Sequence, residues 1–140
     1  QSGIISIWRP SVMASELRVN TLKDASGNNS VATSFVAGGS AKVWINLNGA
    51  TAAARDSLNV SSVTDVSGGR NQPNYTTSFS AATYAICISG NGGSGNGTIY
   101  QTSDIAVGSF IMDYRYNSSG STYTTYDPDT GGCGMFGDLA

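Results

Sequence analysis

Four tyrosines crowd one short stretch of the chain: Tyr114, Tyr116, Tyr123 and Tyr126. They flank Asn117-Ser118-Ser119-Gly120, a turn sequence, so the spacing predicts a hairpin with tyrosines on both strands. Flat aromatic rings stack on sugar faces, and Asn and Ser side chains match hydroxyls, so this pattern suits polar recognition. The competing reading packs the tyrosines against neighbouring strands or subunits. Asn91 and Asn96 lie in residues 89–97, a run almost wholly of Gly, Asn and Ser that reads as an exposed loop. The candidate receptor-binding residues are Tyr114, Tyr116, Asn117, Tyr123, Tyr126, Asn91 and Asn96.

Catalysis finds few parts. With no His and only two cysteines, Cys87 and Cys133, a zinc site, a Ser/His/Asp triad and a Cys/His nucleophile all lack components. Nine acids allow pairs such as Glu16 with Asp24 or Asp104 with Asp113. A glycosidase needs two carboxyls about 5 to 9 Å apart, which sequence spacing does not supply. Asp113 and Arg115 alternate onto one strand face and read as an ion pair. Asp127, Asp129 and Asp138 offer oxygens to a hard cation, but Asp-Pro-Asp before Thr-Gly-Gly reads first as a turn. No catalytic residue, metal or cofactor is expected. Seven scattered basic residues and a net charge of −2 give no stripe for phosphates, so neither nucleic acid nor an acidic lipid surface is an expected partner. The longest mostly apolar stretch, residues 81–88, is far short of the roughly 18 residues a membrane span needs. The expectation is a soluble, unanchored chain.

The elements that must position these residues follow from composition. The 140 residues suit one domain. Ser, Thr, Asn and Gly make 63 of them, while Glu occurs once and Lys twice, which removes helix bundles and coiled coils. An apolar fraction of 39% with 13 aromatics is too high for disorder, so the class is all-β with polar turns. Few Lys and Pro are available to blunt strand edges, which hints that neighbouring chains cover them.

Period-two alternation marks the strands. Residues 4–8 are a short apolar run stopped by Arg9-Pro10, an edge or an arm. Residues 16–22, 31–36 and 42–47 follow, the last placing Val43, Ile45 and Leu47 opposite Trp44, which reads as core or intersubunit contact more than as a sugar platform. Residues 50–54 suit one turn of helix and residues 57–66 one strand. Gly68-Gly69 and Pro73 bracket a loop, and residues 75–79 pair with residues 83–89 as a hairpin. After 98–102, residues 106–117 are the longest strand, returning as 121–126, with a last short strand in 133–139.

Met13-Ala14-Ser15-Glu16-Leu17-Arg18-Val19-Asn20, continuing to Ser30, then Lys42-Val43-Trp44-Ile45-Asn46-Leu47-Asn48-Gly49 and Arg55-Asp56-Ser57-Leu58-Asn59-Val60-Ser61-Ser62-Val63-Thr64-Asp65, resemble tail-fibre proteins of tailed bacteriophages, particularly those of aquatic bacteria. The likeness covers most of residues 13–138 and ends on Phe136-Gly137-Asp138. Ala50-Thr51-Ala52-Ala53-Ala54 stands where the family commonly carries a Gly-Thr-Gly-Thr-type turn, and residues 1–12 precede the point where it commonly opens. The resemblance implies an N-terminal extension or arm over 1–12, an extended β-rich stem over 13–41, and a β-sandwich-like fibre tip over 42–140, in an intertwined homotrimer. It implies a virion protein made in the host cytoplasm, where structural disulfides are rare, so Cys87 and Cys133 are read as free thiols. Its expected partners are its own copies, other virion tail proteins and a host cell-surface glycan or protein. The implied function is host attachment without bond breaking. The rivals are a purely structural virion component, such as a capsid decoration or fibre connector, and a polysaccharide depolymerase.

Overall fold

A computed structural model describes residues 17–91 and 98–140. Among them, strands are β1 (Thr21–Lys23), β2 (Ser30–Ala32), β3 (Val43–Asn48), β4 (Ala53–Leu58), β5 (Val60–Ser67), β6 (Arg70–Tyr75), β7 (Ala85–Gly90), β8 (Thr98–Ala106), β9 (Ser109–Ser119), β10 (Thr122–Thr125) and β11 (Gly131–Phe136). One short helix, α1 (Thr33–Gly39), precedes β3. The class is all-β. Residues 1–16, including the expected arm over 1–12, lie outside the described residues.

Alternation decides which side of each strand is buried. In β3, Val43, Ile45 and Leu47 are buried while Asn46 is exposed. In β9, Phe110, Met112 and Tyr114 turn the same way as Tyr75 of β6 and Cys133 and Met135 of β11, and these residues form one apolar core. They come from two sheets. β4-β3-β11-β7 is the first; in the second, β9 carries β8 on one edge and β6 then β10 on the other, with β5 outside β6. Every pairing is antiparallel. Two sheets sharing a core make a β-sandwich.

Several sequence expectations are corrected here. The run 31–36 is strand only through Ala32 and then turns into α1, which has no buried residue. Residues 57–66 break at Asn59, which takes a left-handed φ of 59°, a conformation that Asn tolerates. Its side chain accepts from the Thr77 N–H at 2.7 Å and donates to the Thr77 carbonyl at 2.9 Å, so the break crosses from one sheet to the other at a fixed point. The expected loop around Pro73 is strand β6, and pairing with β9 holds at Arg70, Asn71 and Asn74 and lapses between, where proline has no N–H to donate. Residues 83–89 do not pair with 75–79. β7 pairs with β11 in the opposite sheet, because Phe79 turns inward to stack on Tyr84 at 4.1 Å instead of extending β6. Residues 50–54 hold a 3₁₀ turn over Gly49–Thr51 and then enter β4.

One close approach locks the sheets together. A Cβ on Gly131 would lie 2.5 Å from the Tyr114 hydroxyl and 2.9 Å from its ring carbon. The bare strand lets the wholly buried Tyr114 cross the core and donate to the Ser89 carbonyl of β7 at 3.2 Å. A second link joins Tyr75, Tyr84 and Met135: Tyr84 accepts from the Tyr75 hydroxyl at 3.0 Å and donates to the Ala106 carbonyl at 2.9 Å, and the Tyr75 hydroxyl also lies 3.0 Å from the Met135 sulfur.

Two outcomes follow from this packing. Gly131→Ala overpacks the Tyr114 ring and is expected to lower unfolding free energy by about 1–3 kcal/mol in urea titrations, with Tyr114→Phe in the same chain recovering part of the loss. Stability also falls in alkali. Burial pushes the Cys133 thiol from 9.0 up to about 12, and burial and hydrogen bonding raise Tyr75. The unfolded chain releases these protons first, so stability is complete below pH 9 and falls by up to about 1.4 kcal/mol per pH unit per group above it. Urea midpoints measured across that range in the parent and in Cys133→Ala check the slope, which is shallower in the variant.

Candidate functional site

β11 reads Gly131-Gly132-Cys133-Gly134-Met135-Phe136, and the same alternation that turns Cys133 and Met135 inward puts Gly132 and Gly134 on the outer face. Register places Gly132 between Asn46 and Ser89 and Gly134 between Trp44 and Cys87. Two successive outward positions without side chains leave a trough floored by backbone, about 570 Å³ in volume. Glycine in a strand interior is where a ligand or another backbone can come close. A Cβ on Gly132 would press on the Ile45 carbonyl at 2.9 Å, whereas one on Gly134 would make only an ordinary contact with the Phe136 ring at 3.9 Å.

The walls are uncharged and mostly apolar in exposed surface, with a few polar groups placed along them. Asn46 stands on the β3 side, Cys87 and Ser89 on the β7 side, and Gly90, Asn91 and Thr130 close one end. Among the described residues, no carboxylate, guanidinium or ammonium lines the groove. That donor set hydrogen-bonds hydroxyls and amides, and the Cys87 thiol is the one ionisable side chain exposed among the described lining residues. Cys133 turns inward, and burial keeps its thiol protonated. Cys87 is exposed in the groove wall, on the opposite face of the sheet, and no disulfide joins the two.

The closed end is laced by residues 126–130. The Tyr126 hydroxyl donates to the Asn91 carbonyl at 2.6 Å, the Asn91 N–H donates to the Thr130 carbonyl at 2.8 Å, and the Thr130 N–H reaches the Asn91 side chain at 3.2 Å. Asp127 accepts the Gly69 N–H at 2.6 Å and the Pro128 carbonyl accepts the Gly49 N–H at 2.9 Å. Thus the segment read from sequence as a simple turn ties the β5–β6 and β3–β4 connections to β7. Asp127 is a cross-link within this lacing.

The structure divides the sequence candidates. Asn91 lines the groove. Tyr126 holds it, and Tyr116 packs edge-on to Tyr126 with centroids 5.7 Å apart. Tyr114 is corrected from a contact residue to a core residue: it is 0% exposed, beneath the floor at Gly131. Tyr123 pairs with Asn117 on the opposite face of the sheet, beside Arg115 and Thr125. Tyr123 is exposed there, while the Asn117 amide donates to the Gly120 carbonyl and closes the β9–β10 turn. Asn96 lies outside the described residues, as does Glu16. Arg115 grips the buried Asp113 with two hydrogen bonds of 2.9 and 2.6 Å, and Arg70 joins Asp113 at 3.5 Å and Asp104 at 3.8 Å. The acids of that postulated pair are thus held by guanidinium groups. Trp44 lies on the outer face and is only half-buried, so it is not core.

Asn46, Ser89, Thr130, Gly132 and Gly134 are site residues that sequence reading missed. The available signal was Gly-x-Gly at strand spacing, two bare positions on one face.

Native protein is expected to react at one thiol per chain, Cys87, when titrated with a small alkylating reagent, the second thiol appearing only on unfolding; mass spectrometry of the labelled peptides checks this. Comparison with protein-family models, with curated proteins and with solved structures finds no match for this chain.

Proposed function

We propose that this chain is a receptor-binding component of a phage tail fibre, attaching the virion to its host by holding an uncharged, hydroxyl-rich surface glycan in the groove over β11. The observation that carries the reading is the glycine-floored trough walled by Asn46, Ser89, Asn91 and Thr130, with no charged group among its described lining residues. A bare backbone floor admits a flat sugar ring, and amide and hydroxyl walls match its hydroxyls. The resemblance of residues 13–138 to tail-fibre proteins supports the biological setting, and with it a homotrimer. Three copies of a shallow site gain avidity through effective concentration, so weak single-site affinity suffices. No carboxylate or imidazole stands beside Cys87 among the described lining residues, and that favours binding over cleavage.

Gly134→Val fills the trough where there is room for a side chain. The variant is expected to keep or raise its unfolding midpoint, since valine favours strands. Its binding to neutral bacterial polysaccharides on a glycan array should fall at least tenfold, about 1.4 kcal/mol. Parent binding should be nearly independent of salt, because no ion pair is made. Bound polysaccharide should also slow alkylation of Cys87. Binding that survives Gly134→Val moves the site elsewhere, release of reducing ends from the polysaccharide favours a depolymerase, and no binding at all favours a structural virion component.

A further inference from the structure

The described N-terminal segment buries none of its large apolar side chains. Leu17 is 79% and Phe35 75% exposed, and Val19, Leu22, Val31 and Val36 are exposed with them. Yet the segment is well ordered internally. Thr33 donates to the Val19 and Asn20 carbonyls at 3.0 and 3.2 Å, and Asp24 caps the β1–β2 turn through the Asn28 N–H at 2.9 Å. The Lys42 ammonium donates to the Ala37 carbonyl and to the Ser40 carbonyl and hydroxyl, so the end of α1 is pinned to the start of β3. A two-stranded hairpin with one short helix does not hold such a face open to water without a cover.

A second exposed apolar set lies at the end of the sandwich where β3 starts. Leu58, Ile105, Val107 and Leu139 are all exposed. Backbone hydrogen bonds tie their neighbourhoods together: Thr76 N–H to the Asn59 carbonyl, Phe79 N–H to the Val107 carbonyl, and Ala140 N–H to the Ser78 carbonyl, with Phe79 bridging Leu139. Lys42 N–H donates to the Met135 carbonyl at that same end. Both sets are exposed in one and the same chain, so the short tether through residues 40–42 does not bring them together. The segment is net positive, with exposed Arg18 and Lys23 against Asp24, and the end face carries the exposed Asp138.

From this we infer that residues 17–36 of one chain cover the Leu58–Ile105–Val107–Leu139 face of a second copy. The contact is heterologous, joining two different surfaces, and it closes into a ring when the rotation between copies allows. It does not rest on glycan binding, and its readout is mass alone.

Light scattering on the full chain is the test, with Phe35→Asp and Val107→Asp as variants. Both positions are exposed, so circular dichroism should match the parent. The parent should exceed its 14.4 kDa chain mass several-fold, and each variant alone should fall to the single-chain mass. An equimolar mixture of the two should recover a two-chain species, because the intact segment of the Val107→Asp chain still covers the intact face of the Phe35→Asp chain. A parent that stays single-chain at high concentration overturns the inference. So does a Val107→Asp variant that assembles like the parent, which would mean that the segments pack only on each other, and so does a mixture that stays single-chain.

Discussion

The fit of the Tyr114 ring over Gly131 is the constraint on which the rest of the molecule depends. Glycine costs conformational entropy and packs nothing in a strand, but its absent Cβ admits a large aromatic that joins the sheets, and burying such a ring is among the larger favourable terms a small core can collect. From that point the chain is committed in several directions. The Tyr114 hydroxyl reaches β7 at Ser89, its carbonyl accepts the Tyr126 N–H at 3.2 Å, and its N–H donates to the Gly69 carbonyl at 2.8 Å. The end of the groove is therefore built from the same residue that holds the core. Disturbing the ring moves Asn91 as well as the packing.

The glycines of β11 serve both of its faces. Inward, Gly131 makes room for Tyr114; outward, Gly132 and Gly134 leave the trough. Strand alternation separates the two duties, so the outer floor can be varied at Gly134 without reaching the core, whereas a Cβ at Gly132 would press on the Ile45 carbonyl.

Much of the sandwich was legible where alternation was clean. Val43, Ile45 and Leu47, and Phe110, Met112 and Tyr114, read directly as inward faces, and the β9–β10 hairpin followed from the Asn-Ser-Ser-Gly turn. Reading failed where the inward residues are not apolar in type. β6 turns Asn71 and Pro73 into the core beside Tyr75, and no period-two hydrophobic count finds such a strand. β11 was expected over 133–139 and starts two residues earlier, at Gly131, because glycine has no hydropathy to alternate. Strand order was also out of reach, since β7 pairs across some 45 residues of chain with β11, and pairing between distant segments is decided by the completed core. The site suffered accordingly. Tyrosines drew the eye, but Tyr114, Tyr116 and Tyr126 support the groove from behind without facing it, and the trough itself is made by side chains that are missing. α1 was unreadable because Val31, Val36 and the residues between favour a strand locally, while nothing in the described chain pairs with one there.

The two ends of the sandwich differ in kind. β3 runs from Val43 at one end to Asn48 at the other, and β11 runs back from Gly131 to Phe136. Asn91, Thr130 and the lacing of residues 126–130 therefore lie at the end opposite Leu58, Val107 and Leu139, separated by a strand length of about 20 Å. The polar end closes the groove, and the apolar end receives the N-terminal segment. The proposed attachment and the inferred self-association therefore draw on different residues and do not compete. Their coupling, where it exists, runs through the core. Tyr75 and Tyr84 touch Met135 and Ala106 near the apolar end, Tyr114 touches Gly131 and Ser89 near the polar one, and both sets pack on the same strands, β9 and β11. The packing of those residues along β9 and β11 also fixes the floor of the groove, and a shallow site gains from being held in shape before its ligand arrives.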